Sequence, residues 1–141
     1  MRTARPSAEP LPVEARTGQM FTGTVWGETL MPHDDGSGLN RVTFEPGART
    51  VWHRHEGGQM LIGEGGAGLV VTRSGDVAYI GDGVVVHACP KEDHWHGALP
   101  GSHMTHLSCV LGGETVWLEP VEQADYLAAV EKARAQIGAG G

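Results

Sequence analysis

Eight histidines occur among 141 residues, and seven of them lie between positions 53 and 106. Histidine titrates near neutral pH and is the commonest protein metal ligand. Two of the seven stand in the run Trp52-His53-Arg54-His55-Glu56-Gly57-Gly58-Gln59. Alternate side chains of a strand share a face, so His53 and His55 point one way while Trp52 and Arg54 point the other. The turn signal Glu56-Gly57-Gly58 reverses the chain and lets Gln59 face back toward the pair. Two imidazoles on one face suit a transition metal, because each offers a neutral nitrogen donor. A third donor must come from elsewhere, and His94 and His96 repeat the same spacing. A single His-x-His pair also fits two histidines facing solvent. Two such pairs, each with Trp and Gly neighbours in a strand-like run, favour a metal site. Closed structural zinc sites draw mainly on cysteine. Cys89 and Cys109 have no ligand spacing and read as small buried hydrophobes, so the ligand set points to an open, catalytic type of centre.

The elements that carry these residues are short and β-like. Glycine is abundant, at 22 residues, and follows no three-residue repeat, which excludes a collagen-like chain. Explicit turn signals recur, among them Asp34-Asp35-Gly36-Ser37-Gly38, Glu45-Pro46-Gly47, Ser74-Gly75-Asp76 and Pro100-Gly101-Ser102. Between such signals strands are expected at 20–26, 39–44, 51–55, 59–63, 67–72, 77–80, 84–88, 94–98, 105–111 and 115–118. Short, regularly spaced strands indicate a sandwich or barrel. One helix is expected after Pro120, with Leu127, Val130 and Ile137 on its buried face and Gly138 as its stop. The reading is one all-β domain: an arm over 1–18, a barrel over 19–120 and a helix over 121–137 packed on the barrel. Trp26, Trp52, Trp95 and Trp117 read as core or interface anchors.

Composition limits the partners. The formal net charge is −7 with scattered basic residues, which argues against nucleic acid. No apolar run approaches the ~20 residues of a membrane span. No apolar signal core follows Met1, so the cytoplasm is the expected compartment. Gly63-Glu64-Gly65-Gly66 lacks the Lys-Ser/Thr end of a phosphate loop. A small-molecule substrate is the remaining class of partner.

The motifs resemble those of the cupins, small double-stranded β-helix (jelly-roll) barrels. Gly47, His53, His55, Gln59 in the usual glutamate position, and Gly66 match the first cupin motif. Gly83, Cys89, Lys91, His94 and Ala98 occupy the places of the second, where Gly83 and His94 keep the expected residue types. The runs Phe21-Thr22-Gly23-Thr24-Val25, Val42 to Thr50, His94-Trp95-His96-Gly97-Ala98 and Met104-Thr105-His106-Leu107 are similar to the small bacterial cupins that include the manganese-dependent hydroxynitrile lyases. The resemblance spans roughly residues 19–120.

That resemblance implies His53, His55, Gln59 and His94 as ligands of one divalent transition metal per chain. It favours Mn or Fe, while Zn, Ni and Co suit the same donors. His96 and His106 become pocket residues, with His106 as general base and His96 assisting. Asn40, Val42 and Phe44 share a parity that fits the pocket mouth. Three neutral histidines and a neutral glutamine leave the ion its full +2 charge, which suits substrates that turn anionic. The implied activity is a lyase of the hydroxynitrile type. An Fe(II) dioxygenase, an isomerase or cyclase acting through an enolate, and a non-enzymatic ligand-binding cupin remain open beside it. The resemblance also implies a homodimer, which would cover exposed strand edges. His33, His87 and His103 fall outside the alternating pattern and read as surface or structural residues.

Overall fold

The structure is a computed structural model that describes residues 1–5 and 20–140; most of the expected arm over 1–18 lies outside the described residues. Twelve strands precede a single helix among them. In chain order they are β1 Phe21–Thr22, β2 Val25–Pro32, β3 Ser37–Phe44, β4 Arg49–Thr50, β5 His53–His55, β6 Gln59–Gly66, β7 Gly68–Thr72, β8 Val77–Ile80, β9 Val85–Ala88, β10 His94–Ala98, β11 Met104–Leu111 and β12 Thr115–Trp117, followed by α1 Gln123–Gly140.

All strand pairs are antiparallel and form two sheets. One runs β2-β3-β11-β6-β9. The other is organised about β10. On one side of β10 lie β4 and β5, carrying β1 and β12 respectively; on the other lies β7, which carries β8. The sheets face each other across a core of Val25, Phe44, Leu61, Val70, Ile80, Ala98 and Met104. A second core lies between the β10 sheet and α1, built on Leu69, Val71, Trp95, Tyr126, Val130 and Ala133. Every residue of β10 is therefore buried, as expected of a strand covered on both faces. Among the described residues no helix is long and apolar enough to cross a membrane.

Several expected boundaries shift for identifiable reasons. The expected strand at 20–26 is two strands, because Gly23 turns the chain at φ 84°. β2 then continues to Pro32 and β3 begins at Ser37, which shortens the acidic turn between them. Glu56-Gly57-Gly58 does not make a hairpin within one sheet. It passes the chain from β5 in one sheet to β6 in the other, with Gly58 at φ 87°. The helix buries Tyr126, Ala129, Val130 and Ala133, an i, i+3, i+4, i+7 face. Leu127 and Ile137 are exposed at 48% and 40%. The alanines let the helix lie close to the sheet, which larger side chains on that face would prevent. Gly138 does not stop the helix, which runs to Gly140; Gly138 keeps a φ outside the left-handed region. Cys89 is exposed and Cys109 partly buried, both as free thiols. The reading of Cys89 as a buried hydrophobe thus fails, since it sits just past the end of β9.

Arg49 fastens the helix to the barrel. Its guanidinium donates to the Val121 carbonyl and to Gln123 Oε1, both at 3.1 Å, and lies 4.3 Å from the centre of the Tyr126 ring. The Tyr126 hydroxyl donates to the Ala98 carbonyl at 2.6 Å, at the end of β10. Gly97 faces this junction. A Cβ there would come within 2.5 Å of the Ala48 carbonyl oxygen and 2.6 Å of Arg49 Cβ. Backbone cannot yield cheaply to such overpacking, which costs about 1–3 kcal/mol. Gly97→Ala is expected to lower the melting temperature by roughly 4–12 °C; a melting curve matching wild type contradicts this packing.

Candidate metal centre

His53 and His94 are directly opposed across β5 and β10, so their side chains emerge on one face as a cross-strand pair. Their ring centres lie 4.3 Å apart. His55 lies 5.1 Å from His53 and 5.6 Å from His94, ring centre to ring centre. His96, next on the same face of β10, is 5.2 Å from His53. One nitrogen from each of His53, His94 and His96 falls within 4.8 Å of the others, and all three residues are buried. These three histidines are close enough to hold a metal ion. The facing sheet supplies Gln59 from β6 and His106 and Ser108 from β11, all buried. The site therefore lies between the sheets, and neither sheet alone could build it.

Hydrogen bonds fix which atoms point inward. His53 Nδ1 lies 2.9 Å from the Val51 carbonyl and His94 Nδ1 lies 3.0 Å from the Glu92 carbonyl. A carbonyl can only accept, so each Nδ1 carries the proton and each Nε2 keeps its lone pair. His55 Nδ1 meets Thr115 Oγ1 at 2.9 Å, and its buried Nε2 has no hydrogen-bond partner. Tethering one ring nitrogen to orient the other is the usual support for a metal-ligating histidine. Gln59 Oε1 sits 3.1 Å from His94 Nε2. Both are acceptors, with no proton left to place between them. Burial, first among the causes, lowers the His94 pKa below its ordinary 6.5, so the ring does not take a second proton at neutral pH. A cation resolves the contact by drawing on both lone pairs. This donor set fits a divalent metal.

Burial also depresses the other histidines of the cluster. His53 and His96 fall well below 6.5, and His55 and His106 fall to about 4. His106 Nε2 lies 3.2 Å from His96 Nδ1. The outer atoms of this pair, His96 Nε2 and His106 Nδ1, are buried without partners. The cavity beside the cluster has a volume of about 350 Å³. Its wall combines these histidines with Phe21, Val42, Phe44, Val110 and Trp117. Trp117 is 38% exposed and tilts over the His53 ring at 4.8 Å.

No family model matches the chain. It is 45% identical over 111 residues to the (R)-mandelonitrile lyase of Granulicella tundricola, which covers 75% of this chain and 85% of that protein. The chain belongs to the small cupins related to the hydroxynitrile lyases. A cupin-like protein of Thermotoga maritima superposes with a TM-score of 0.76 at 35% identity, over 84% of this chain and 97% of its own. The polyketide cyclase RemF of Streptomyces resistomycificus shares the fold, with a TM-score of 0.67 at 16% identity over 95% of this chain and 97% of its own.

The cupin barrel brings together every residue that the sequence singled out: His53, His55, Gln59, His94, His96 and His106. Asn40, Val42 and Phe44 line the cavity as their parity suggested. His33, His87 and His103 are exposed. Trp52 and Trp95 pack on the helix side, opposite the cluster, whereas Trp117 lines the cavity and is more than an anchor. Thr115 and the Val51 and Glu92 carbonyls escaped the sequence reading. Thr115 reaches His55 through the long-range pairing of β12 with β5, for which the local sequence carries no signal.

The depressed pKa values set the acid response of the metal-free cupin. A buried histidine with a lowered pKa binds fewer protons folded than unfolded. Stability is then full above the unfolded pKa of about 6.5 and falls with pH toward the folded values near 4. The melting temperature of chelator-treated protein should fall steadily from pH 6.5 to pH 4. Each ~1 kcal/mol lost lowers it by roughly 4 °C. A flat profile across that window contradicts the burial of these rings as free bases.

Proposed function

We propose that this cupin is a metal-dependent lyase that cleaves a cyanohydrin into a carbonyl compound and hydrogen cyanide. The observation that carries the reading is the buried His96–His106 pair against the histidine cluster, within a cavity walled on one side by aromatic and aliphatic side chains. A relative named as a mandelonitrile lyase supports the same chemistry and an aryl substrate. His53, His55, Gln59 and His94 would hold the ion, manganese or iron. Bound there, a divalent ion keeping its full charge stabilises negative charge that develops on substrate oxygen or on the leaving anion.

The remaining work falls to the chain itself. His106 is a free base at neutral pH, since burial holds its pKa near 4, and it takes the substrate hydroxyl proton. One proton bridges His106 and His96, so of the two outer nitrogens one carries a proton and the other a lone pair. When the outer lone pair takes a proton, the bridging proton passes to the other ring and the outer proton at the far end leaves, so the pair accepts a proton at one end and returns one at the other. As the O–H bond gives up its proton, its electron pair forms the C=O bond. The C–CN bond breaks, cyanide leaves with the bonding pair, and the returned proton makes hydrogen cyanide. Phe21 and Phe44, edge-to-face at 6.2 Å, and Trp117, 6.4 Å from Phe21, wall the apolar side where an aryl group fits.

General acid–base catalysis is worth roughly 10²–10⁴-fold. His106→Ala is expected to lose that much of the rate of mandelonitrile cleavage, followed as benzaldehyde release, while keeping the metal content of wild type. Wild-type turnover in that variant removes His106 from the reaction, and wild-type protein inert toward cyanohydrins overturns the lyase reading.

A further inference from the structure

A glutamine can turn either end of its amide toward a metal site. Only the oxygen can ligate; the NH₂ end is a double donor with no lone pair to give. In this chain the choice has a specific rival. His94 Nε2 holds a lone pair, because its Nδ1 proton is committed to the Glu92 carbonyl at 3.0 Å. A turned Gln59 would donate Nε2–H to that lone pair. The resulting hydrogen bond would block two ligand residues at once.

Ser108 stands at the other end of the amide. Gln59 Nε2 donates to Ser108 Oγ at 2.6 Å, and both side chains are buried. Ser108 is on β11, two residues beyond His106 on the same face, and lines the cavity. Without its hydroxyl, the ligating orientation would leave a buried NH₂ group short of an acceptor, which is costly. The turned orientation would leave only the carbonyl oxygen unpaired while gaining the bond to His94.

We propose that Ser108 is the positioning residue for the metal centre: by accepting the Gln59 amide N–H it makes the oxygen-inward orientation the one that binds metal. This rests on the reading above that Gln59 and His94 are both ligands. A hydroxyl is needed at position 108 and its size is secondary.

The test is Mn(II) affinity by competition with a chromophoric chelator, using the 141-residue chain stripped of metal. Removing a group that orients a ligand typically costs 10–100-fold in metal affinity. Ser108→Ala is expected to weaken Mn(II) binding by that factor. Ser108→Thr and Ser108→Val, which match in shape and differ in the hydroxyl, give the decisive comparison. Thr is expected to bind at least tenfold more tightly than Val, with metal-free melting temperatures reported alongside to show that both are folded. Equal affinity of folded Thr and Val variants, or an Ala variant within threefold of wild type, overturns the proposal. Should Thr or Val fail to fold, the Ala result decides it alone. Wild-type chain that takes up neither Mn(II) nor Fe(II) overturns the underlying ligand reading, and this one with it.

Discussion

A neutral imidazole carries one N–H, and His94 faces two oxygen acceptors. The Glu92 carbonyl lies at Nδ1 and Gln59 Oε1 lies at Nε2, at 3.0 and 3.1 Å. One proton cannot serve both, and burial resists a second. Lone pairs held against each other in a dry interior cost free energy unless a cation or a proton lies between them. The barrel nevertheless holds this arrangement from both sides, with His94 fixed by its own strand and Gln59 fixed by Ser108 on the facing sheet. Strand register and a neighbouring strand place the other groups around that contact. His53 is set opposite His94 by strand register, and His55 follows two residues on, its Nδ1 held by Thr115.

The fold exists around this cluster in a definite division of labour. The β10 sheet brings four histidines, and the facing sheet brings Gln59, Ser108 and His106. β10 can present His94 and His96 inward because Trp95 and Gly97 are covered on the other side, by α1 and the Arg49 junction. The helix is remote from the cavity, yet it supports the strand that carries His94 and His96. The bulge in the pairing of β6 with β11 falls between Thr105 and His106. The extra residue is Glu64 on β6, so the bulge bends β6 while β11 keeps its register with β3 through His106.

Much of this was legible in the sequence, for a physical reason. Alternate side chains of a strand share a face, so spacing alone announced a common face within the His53–His55 pair and within the His94–His96 pair, and the resemblance to the cupin motifs supplied Gln59. Trp52 and Trp95 were placed opposite the ligands by the same parity. What failed was set by tertiary packing. Leu127 and Ile137 are the most apolar positions of the helix by type, but Tyr126, Ala129 and Ala133 make the closer-fitting face. The chain's passage between sheets at Gly58 looks locally like any glycine turn. The bond of Ser108 to Gln59 joins residues 49 positions apart in sequence on two different strands. Thr115, 60 positions from His55, was hidden for the same reason.

The central claim is that this cluster is a metal centre. Metal analysis by mass spectrometry of untagged protein, purified without chelating resin, tests it most directly. About one manganese or iron per chain is expected, with loss of that metal when His53 and His94 are both replaced by alanine in protein that remains folded. Wild-type protein that carries no metal, and takes up none when offered each divalent ion in turn, contradicts it.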